Sequence, residues 1–351
     1  MQPVNVAGMM SGTSLDGIDL VLCSFSEKEG KWHYKVQKAV TLPYSEQWIN
    51  ALSNAQTLNT EDFILLHNDY GKYIGNCIME FLGCSLKARL AASHGHTIFH
   101  QPSKGMTFQI GNGANIAAEC GITVVSDFRS TDVALGGHGA PLVPVGDKLL
   151  FGEYDFCLNL GGFANISHDR ERRRIAFDIC PVNLVANSLS RRIGLEYDCD
   201  GMVALRGMVI HELVEELDNL EFYGLAGPKS LGREWVESDF MPVMDKYDAP
   251  VPDLLRSFYT HVAGQISKYV NSCPGKSLLV TGGGAFNKFL TGLIRDRIKA
   301  RLVIPEDTVV KYKEAIIFAF LGLLRYHNRI NCLSSVTGAR KDSSAGSIFL
   351  P

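Results

Sequence analysis

One pattern occurs twice in this chain and limits its fold more than any other feature. An apolar segment, a turn rich in small residues and a second apolar segment follow one another at residues 4–22 and again at residues 156–178. Later in each half, a short apolar stretch runs into glycine, at residues 90–96 and at residues 278–284. Short apolar stretches bounded by such turns predict strands, and the repeated order predicts two similar halves.

The segments between these strands have the apolar spacing of helices. In residues 61–82 and 252–271, apolar side chains recur at the spacing of amphipathic helices. Strands that alternate with helices predict an α/β fold. A chain of 351 residues also exceeds one domain of about 100–200 residues. We therefore expect two domains, the first from residues 1–140 with a returning segment 325–351, and the second from residues 141–324.

Composition excludes several classes of protein. With 46% hydrophobic and 20% charged residues, the chain is expected to be globular rather than disordered. Its formal net charge of -3 argues against a general affinity for nucleic acid, which needs clustered Lys and Arg. The longest apolar run, residues 315–324, is about half of what a bilayer-spanning helix needs, so we expect no membrane partner. Nine scattered cysteines without a C-x-x-C pair are typical of free thiols, which favours a cytoplasmic location.

The first small-residue turn, residues 8–17 (GMMSGTSLDG), is the strongest indication of function. Its glycine, serine and threonine residues let backbone N–H groups and hydroxyls approach an anion such as phosphate. Asp19 lies in an otherwise apolar strand, where a carboxylate is costly unless it is paired or lies near a cation. Asp16 and Asp19 suit Mg²⁺, which takes one or two carboxylates together with substrate phosphates. The alternative is an ordinary turn in which Asp16 caps its own backbone.

Two later glycine clusters extend the nucleotide hypothesis. Gly161 and Gly162 stand between two apolar strands, as the first turn does. Gly282, Gly283 and Gly284 stand between a strand and a helix. Bare backbone there leaves room for a base or a sugar, and the helix N-terminus favours a phosphate nearby. The alternative is a tight turn between strand and helix. Such a turn accounts well for one glycine and poorly for three.

Two further carboxylates are candidates for chemistry. Asp178 ends a predicted strand, where a carboxylate serves either as a general base or as the N-cap of the helix that follows. Glu314 is either a ligand on the Mg²⁺ side or an acid in the first turn of its helix, where it favours the helix dipole. The residues alone leave both pairs of alternatives open.

Histidine and arginine supply candidates for contacts with a substrate. Residues 93–100 (SHGHTIFH) contain three histidines, but no cysteine partner or H-E-x-x-H motif accompanies them, so zinc is disfavoured. Hydrogen bonding to a substrate is the better hypothesis for His94 and His96, and a structural role is favoured for His100. Arg129 suits a bidentate contact with a substrate carboxylate, and the alternative is an internal ion pair with Asp127 or Asp132.

Residues 8–19 (GMMSGTSLDGID) resemble the opening of the 1,6-anhydro-N-acetylmuramic acid kinases. Supporting stretches run along the whole chain, at residues 95–102, 109–111, 126–144, 159–165, 227–234, 281–287, 314–321 and 337–339. The resemblance implies the actin-like, hexokinase-like ATPase fold, in which two RNase H-like domains hold ATP in a central cleft. It also implies a cytoplasmic enzyme of peptidoglycan recycling. Such an enzyme opens the 1,6-anhydro ring with water and phosphorylates the sugar from ATP, giving N-acetylmuramic acid 6-phosphate.

The resemblance also implies a role for individual residues. Those implied for the ATP phosphates are Gly12, Thr13, Ser14, Leu15, Asp16, Gly17, Ile18 and Asp19, with Gly161 and Gly162 as a second phosphate loop and Gly282, Gly283 and Gly284 at the nucleoside. Those implied for Mg²⁺ are Asp16, Asp19 and Glu314, and Asp178 is implied as the base that activates water. Those implied for the sugar are His96, Thr97, Arg129 and Asn183. ATP and an amino sugar are thus the expected partners, and the sequence leaves open whether the chain forms a homodimer.

The chain departs from the family around the implied base. The family commonly has Asp-Thr-Gly-Pro-Gly-Asn where residues 178–183 here are DICPVN. The loss of two glycines limits how closely backbone approaches a ligand. The departure indicates either a variant with the same acceptor, which we favour because Asp178 and the flanking motifs remain, or a kinase for another amino sugar. A rival from a different class is an ATP-driven actin-like or chaperone-like conformational module, which acceptor-dependent turnover would exclude.

Overall fold

The repeated strand pattern forms two sheets in a computed structural model, which describes residues 2–12, 14–225, 227 and 229–351. In chain order the strands are β1 (Val4–Met10), β2 (Gly17–Lys28), β3 (Lys31–Pro43), β4 (Leu90–Ser93), β5 (His96–Gln101), β6 (Met106–Ile110), β7 (Thr123–Ser126), β8 (Phe156–Leu160), β9 (Phe163–Arg170), β10 (Arg173–Pro181), β11 (Ser277–Thr281), β12 (Arg301–Val303) and β13 (Ser347–Phe349).

The helices lie between these strands, as the apolar spacing predicts. They are α1 (Glu46–Asn54), α2 (Thr60–Leu82), α3 (Gly113–Cys120), α4 (Ser130–Ala134), α5 (Pro144–Leu150), α6 (Asn183–Arg191), α7 (His211–Asp218), α8 (Glu221–Gly224), α9 (Arg233–Trp235), α10 (Met241–Asp245), α11 (Val251–Ser272), α12 (Lys288–Arg295), α13 (Asp307–Tyr326) and α14 (Ser334–Thr337). Short 3₁₀ turns cover Ala55–Thr57, Pro102–Lys104, Cys199–Gly201, Ala204–Arg206 and Gly283–Phe286, and Val236–Phe240 is π-helical.

The chain divides into two compact units. Unit 1 takes the residues up to 151 and those from 312 onward, and unit 2 takes residues 152–311. The sheet of unit 1 has the order β13-β7-β4-β1-β2-β3, and that of unit 2 has the order β10-β9-β8-β11-β12. In each unit an antiparallel meander of three strands (β1–β3 or β8–β10) continues into two strands parallel to its first strand. Both units therefore have the RNase H-like strand order, which confirms the predicted α/β fold with two similar halves.

The apolar periodicity explains how unit 1 is built. Along α2, Tyr70, Ile74 and Ile78 recur every fourth position and are fully buried, packing in one cluster with Ile18 of β2. The helix begins where the Asn59 side chain accepts the backbone N–H of Asp62. Such burial gives each large side chain roughly 1.5–3 kcal/mol and fixes which face of the sheet the helix covers.

The longest apolar run of the sequence belongs to the interior of unit 1. Ile316, Phe320 and Leu321 of α13 are fully buried. A Cβ on Gly8 of β1 would lie 2.3 Å from the carbonyl oxygen of Ala315, so only glycine lets strand and helix approach this closely. Among the described residues, none of the helices combines the length and the apolar character needed to span a bilayer.

The division between the units differs in position from the expected domain boundaries at 140/141 and 324/325. Gly146 of α5 packs on Ile317 of α13, where a Cβ would lie 2.5 Å from the side chain. Asp147 forms a buried ion pair of 2.6 Å with Lys313. These contacts join α5 and most of α13 to unit 1, so the divisions fall at 151/152 and 311/312.

Candidate functional site

The first small-residue turn connects β1 to β2 as a hairpin in unit 1. Met10 of β1 pairs with Asp19 of β2. A Cβ on Gly17 would lie 2.3 Å from the carbonyl oxygen of Leu42, so close strand packing requires this glycine. Ile18 is fully buried, and its side chain belongs to the core rather than to a ligand surface.

The turn itself exposes small polar groups. The backbone N–H of Leu15 donates to the carbonyl of Gly12 at 3.4 Å, and Leu15 adopts a φ of 60°. Ser14 Oγ donates to Asp16 Oδ1 at 2.8 Å, and both side chains are exposed. Thr13, which the resemblance also implies for ATP, lies outside the described residues.

A chain of side-chain hydrogen bonds lies under this turn. Ser11 Oγ is 2.6 Å from the hydroxyl of Tyr44 and 2.8 Å from Nδ1 of His96. The Tyr44 hydroxyl in turn is 2.5 Å from that of Tyr70. Burial lowers the pKa of His96 to about 4, so its imidazole is neutral at pH 7. His96, implied for the sugar, is only 4% exposed, and its observed contact is with Ser11.

Replacing Tyr44 with phenylalanine is expected to lower the free energy of unfolding by about 1–3 kcal/mol. The change removes one buried hydroxyl and leaves those of Ser11 and Tyr70 short of a partner. Urea denaturation measures the loss. Tyr326→Phe is the matched control, because its hydroxyl bonds to Arg89 near the surface. Equal losses in the two variants would contradict a special role for the buried chain.

The acidic residues of unit 1 influence one another. Asp19 accepts a hydrogen bond of 2.6 Å from Thr41. Burial raises the pKa of Asp19, and the charge of Asp16 raises it further. Loss of hydration within the surrounding protein raises the pKa of Glu314, although part of its surface remains exposed; the charge of Arg129 opposes this effect and that of Asp19 adds to it. Negative charge therefore accumulates around Asp19, and a bound cation would relieve it.

The carboxylates suit Mg²⁺ in their chemistry. Among the described residues, no three His, Cys, Asp or Glu side chains gather closely enough to hold a metal ion by themselves. Mg²⁺ that binds together with a nucleotide needs only one or two protein carboxylates. Asp16 and Asp19 supply two hard oxygen donors at the end of the hairpin.

Arg129 is held by neutral partners in unit 1. Its Nε donates to Nε2 of His94 at 3.0 Å, and its Nη1 donates to the carbonyl of Gly139 at 2.6 Å. His94 Nδ1 lies 3.0 Å from the carbonyl of Gly95, so Nδ1 carries the proton and Nε2 accepts. Burial and the charge of Arg129 hold the pKa of His94 well below its usual value. The sequence favoured a substrate contact for His94, whereas its observed partner is Arg129, 35 positions away.

The internal ion pair that was the alternative for Arg129 is not formed among the described residues. Asp127 accepts a hydrogen bond from Ser130, and the buried Asp132 accepts one from Thr337. Burial lowers the pKa of Arg129 to about 10, and the guanidinium still stays charged at pH 7. A half-buried cation bonded only to neutral groups can receive an anionic group of a ligand.

Thr97 is half-buried at the start of the β5–β6 hairpin. Its hydroxyl accepts a hydrogen bond of 3.4 Å from Gln109 Nε2, which also donates to Thr107 at 3.0 Å. Gln109 therefore ties the two strands of this hairpin together. Sequence reasoning included Gln109 in a matching stretch but gave it no role.

In unit 2, Asn183 bonds to the glycine loop that follows β8. Its backbone N–H donates to the carbonyl of Gly161, and its Nδ2 donates to the carbonyl of Leu160, each at 3.1 Å. The carbonyl of Gly162 accepts the backbone N–H of Val182. Asn183 thus connects the loop after β8 to the start of α6, whereas the resemblance implies a contact with the sugar.

Of the three consecutive glycines of unit 2, two are required by close packing and one borders open space. Gly282 has a φ of 81°, and a Cβ there would lie 2.5 Å from Oδ1 of Asn159. A Cβ on Gly284 would lie 2.7 Å from the side chain of Leu160. At Gly283 the nearest atom is 3.5 Å away, on Asn183, and the residue is exposed. Close packing therefore explains the outer two glycines, and the middle one borders free space.

That free space is a cavity of about 510 Å³ within unit 2, lined by Gly283, Gly284 and Asn183. Further lining residues are Asn187, Tyr197, Asp198, Tyr259, Phe286 and Lys311. Lys311 Nζ lies 5.6 Å from the centre of the Phe286 ring. The volume is in the range of small-molecule sites. Sequence reasoning missed these polar and aromatic residues because they come from separate elements and form no motif.

Asp178 lies in β10 beside a register shift in the ladder with β9. Its Oδ2 accepts the backbone N–H of Leu231 at 2.9 Å, and its own N–H donates to the carbonyl of Lys229 at 2.9 Å. Burial raises the pKa of Asp178, and the hydrogen bond from Leu231 partly offsets this. Helix α6 has Val182 at its N-cap without a side-chain cap. The alternative in which Asp178 caps this helix is therefore wrong.

The residues that depart from the family pattern lie inside unit 2. Ile179 is 4% exposed, and Cys180 and Val182 are fully buried in the main apolar cluster. The larger side chains that stand here in place of the family's threonine and glycines pack into the core of unit 2.

The predicted site residues thus fall into two sets, each within one unit. Unit 1 holds Gly12, Ser14, Leu15, Asp16, Gly17, Ile18, Asp19, His96, Thr97, Arg129 and Glu314. Unit 2 holds Gly161, Gly162, Asp178, Asn183, Gly282, Gly283 and Gly284. Within unit 2, hydrogen bonds and close packing connect both glycine loops.

Comparison with known proteins gives one consistent result. The family model described as anhydro-N-acetylmuramic acid kinase matches residues 4–351. A protein of that name from Hydrogenovibrio crunogenus is 33% identical and covers 98% of this chain and 97% of its own length. One from Francisella tularensis subsp. novicida is 34% identical, with 97% of each covered.

Solved structures are similar at lower identity. A ROK family glucokinase from Streptomyces griseus in complex with glucose and AMPPNP covers 90% of this chain and 97% of its own, at 11% identity and a TM-score of 0.40. The activator of the 2-hydroxyisocaproyl-CoA dehydratase from Clostridium difficile with bound ADPNP covers 91% and 94%, at 12% identity and a TM-score of 0.42.

Proposed function

Because this chain belongs to the anhydro-N-acetylmuramic acid kinase family, we propose that it uses ATP to phosphorylate 1,6-anhydro-N-acetylmuramic acid in peptidoglycan recycling. The observation that carries the proposal is the match over residues 4–351, with relatives whose own lengths are 97% covered. The product is N-acetylmuramic acid 6-phosphate, and the second product is ADP.

The reaction joins a hydrolysis to a phosphoryl transfer. Water attacks the anomeric carbon, the bond from that carbon to O6 breaks, and the water proton passes to a general base. O6 then attacks the γ-phosphorus of ATP and ADP leaves. We assign the base to Asp178, because it is a carboxylate beside a register shift within β10 whose Oδ2 is already oriented by Leu231 and whose pKa is raised by burial. A higher pKa makes a carboxylate a stronger base at neutral pH.

The remaining residues are assigned to binding and orienting ATP and its Mg²⁺. In unit 2, the open position at Gly283 borders the cavity proposed for the nucleotide, and Asn183, which also lines that cavity, bonds to the adjacent loop that contains Gly161 and Gly162. In unit 1, the turn from Gly12 to Asp19 offers backbone N–H groups and hydroxyls to phosphates. Asp16 and Asp19, with Glu314 beside them, are the residues that would hold Mg²⁺, which neutralises phosphate charge when bound.

The burial of Ile179, Cys180 and Val182 supports the same acceptor as in the rest of the family. Side chains that pack into the core of unit 2 change its interior and leave the polar Asp178 in place. The free thiols at all nine cysteines support a location in the cytoplasm, where ATP is available.

An ADP-release assay on the purified protein tests the function. We expect ADP to form at least tenfold faster with 1,6-anhydro-N-acetylmuramic acid than without it or with reducing amino sugars. A faster rate with another amino sugar would indicate a different acceptor. Equal ADP release with and without every sugar would support the conformational-module alternative instead.

A further inference from the structure

The orientation of Asp178 depends on a short backbone segment, residues 229–231, in the connection between α8 and α9. The carbonyl of Lys229 accepts the N–H of Asp178, and the N–H of Leu231 donates to its Oδ2, each at 2.9 Å. One contact fixes the main chain of Asp178 and the other fixes its carboxylate. Any group that holds residues 229–231 in place therefore also sets the direction of the carboxylate.

The side chain of Lys229 holds this segment against the end of α8. Its Nζ donates to the carbonyl of Phe222 at 2.7 Å and to that of Leu225 at 3.3 Å. The same Nζ lies 4.1 Å from the centre of the Phe222 ring, where a cation is attracted to the aromatic face. Both hydrogen bonds go to backbone carbonyls at the end of α8, so the ammonium group joins the segment to that helix.

Helix α8 is in turn fixed to the interior of unit 2. Phe222 is 6% exposed, and its ring centre lies 5.2 Å from that of Trp235 in α9. The hydroxyl of Tyr223 is 2.9 Å from Nε2 of His261, a fully buried residue of α11. The lysine thus connects the segment that orients Asp178 to a helix that is anchored in the core.

We propose that Lys229 is a positioning residue for the reaction, because its ammonium group holds residues 229–231 where their backbone orients Asp178. The inference rests on the proposed function, in which Asp178 is the general base. Lys229 acts through the backbone, since both of its side-chain hydrogen bonds go to the end of α8. Without the ammonium group, the N–H of Leu231 is no longer held on the carboxylate, which then loses both a fixed direction and a hydrogen bond to its charged form.

The acid side of a pH profile reports on Asp178 in this region. Across the ladder from β9 it faces Asn165, which carries no charge. Burial and the charge of Asp178 raise the pKa of the Cys180 thiol, and burial raises that of Tyr269 in α11, which packs on β10. Both groups stay neutral at acid pH, and Lys229 stays charged. A shift of the acid limb therefore follows the carboxyl of Asp178.

The first test is Lys229→Met, which keeps the apolar stem and removes the ammonium group. We expect kcat to fall about tenfold, the KM for ATP to stay within twofold, and the acid limb of the rate to move up by about one pH unit, because a hydrogen bond to the charged carboxylate is weakened. Lys229→Arg keeps the charge, the donors and the ring contact, and its kcat is expected within threefold of the wild-type value.

Lys38 of unit 1 provides the matched control. Its Nζ also donates to the backbone carbonyl of a phenylalanine, Phe81, and lies 4.7 Å from the centre of that ring. Lys38→Met therefore removes the same kind of contact without touching residues 229–231. We expect both its kcat and its acid limb to match those of the wild-type protein.

A titration of Asp178 by carbon-13 NMR makes the test independent of the substrate. In protein labelled at aspartate, the resonance that Asp178→Asn removes is assigned to Asp178. Its pKa is expected to rise in Lys229→Met and to stay at the wild-type value in Lys229→Arg and Lys38→Met. An unchanged pKa in folded Lys229→Met would overturn the positioning role, whatever its rate, and would leave the kinase function standing.

Two further outcomes keep the two claims apart. A raised pKa in Lys229→Met together with a wild-type protein that phosphorylates no sugar would overturn the function and support the role of the lysine. If Lys229→Met does not fold, Phe222→Leu replaces it, because this change removes the ring beside the ammonium group and keeps the backbone carbonyl. A higher Asp178 pKa in Phe222→Leu supports the proposal, and an unchanged one overturns it.

Discussion

Replacing Asp178 with asparagine is expected to reduce sugar phosphorylation at least about 100-fold, with ATP affinity within twofold of the wild-type value. The amide has almost the shape of the carboxylate, and its oxygen can still accept the hydrogen bond from Leu231, so the fold of β10 is preserved. The amide cannot take a proton from water at neutral pH. Steady-state turnover and equilibrium binding of ATP measure the two quantities separately.

The pH dependence gives an independent check on the same residue. A general base acts in its deprotonated form, so activity falls as the pH drops through its pKa. Burial raises the pKa of Asp178 above its ordinary value of 3.8, and the acid limb of the rate is therefore expected at higher pH than for an exposed aspartate. Asp178→Asn should remove this limb from the residual activity.

A surface aspartate of the same unit serves as the control. Asp245 pairs with Arg192 at the surface, and Asp245→Asn is expected to keep at least half of the wild-type turnover. Turnover of Asp178→Asn above a tenth of the wild-type rate would exclude Asp178 as the base.

Replacing Gly283 with valine is expected to weaken ATP binding at least about 30-fold, because the side chain occupies the space that a nucleotide would need. The folded protein should tolerate the change, since the nearest atom to a Cβ at this position is 3.5 Å away. Calorimetric titration with ATP measures the affinity, and thermal unfolding without ligand measures the stability.

Two further glycine substitutions separate the effect on ATP binding from the effect on folding. Gly282→Ala is expected to lower the melting temperature, because the left-handed φ of 81° and the contact with Asn159 both oppose a side chain. Gly292→Val, on α12 with open space around it, is expected to leave ATP affinity unchanged. An unchanged ATP affinity in Gly283→Val would reject the nucleotide assignment of this loop.

The repeated order of strands and glycine turns is visible in the sequence because it depends on local pattern. Strand alternation and glycine at strand ends are set within a few residues, so the two similar halves are visible in residues 4–22 and 156–178. Asp178 was predicted at a strand end, whereas β10 continues to Pro181 and Asp178 lies beside a register shift within it. The family resemblance added the roles that are expected of individual site residues, and these stay predictions.

Contacts between distant residues were not predictable in this way. The sequence places His96 in a polar loop, and only the fold shows that Ser11, 85 positions earlier, is its partner. The role of His94 as the acceptor for Arg129 likewise depends on elements that are far apart in the chain. The three consecutive glycines suggested a ligand at all three positions. In the structure, close packing against Asn159 and Leu160 accounts for Gly282 and Gly284.

The interruption of unit 1 by unit 2 has a consequence for synthesis on the ribosome. Unit 2 is continuous in sequence, so it can finish folding as soon as residues 152–311 have emerged. The earlier part of unit 1 must wait for its buried helix α13 and for β13, which pairs with β7 at the sheet edge. The half that is translated first is therefore expected to be completed last, and chaperones would meet its unfinished apolar face on the nascent polypeptide.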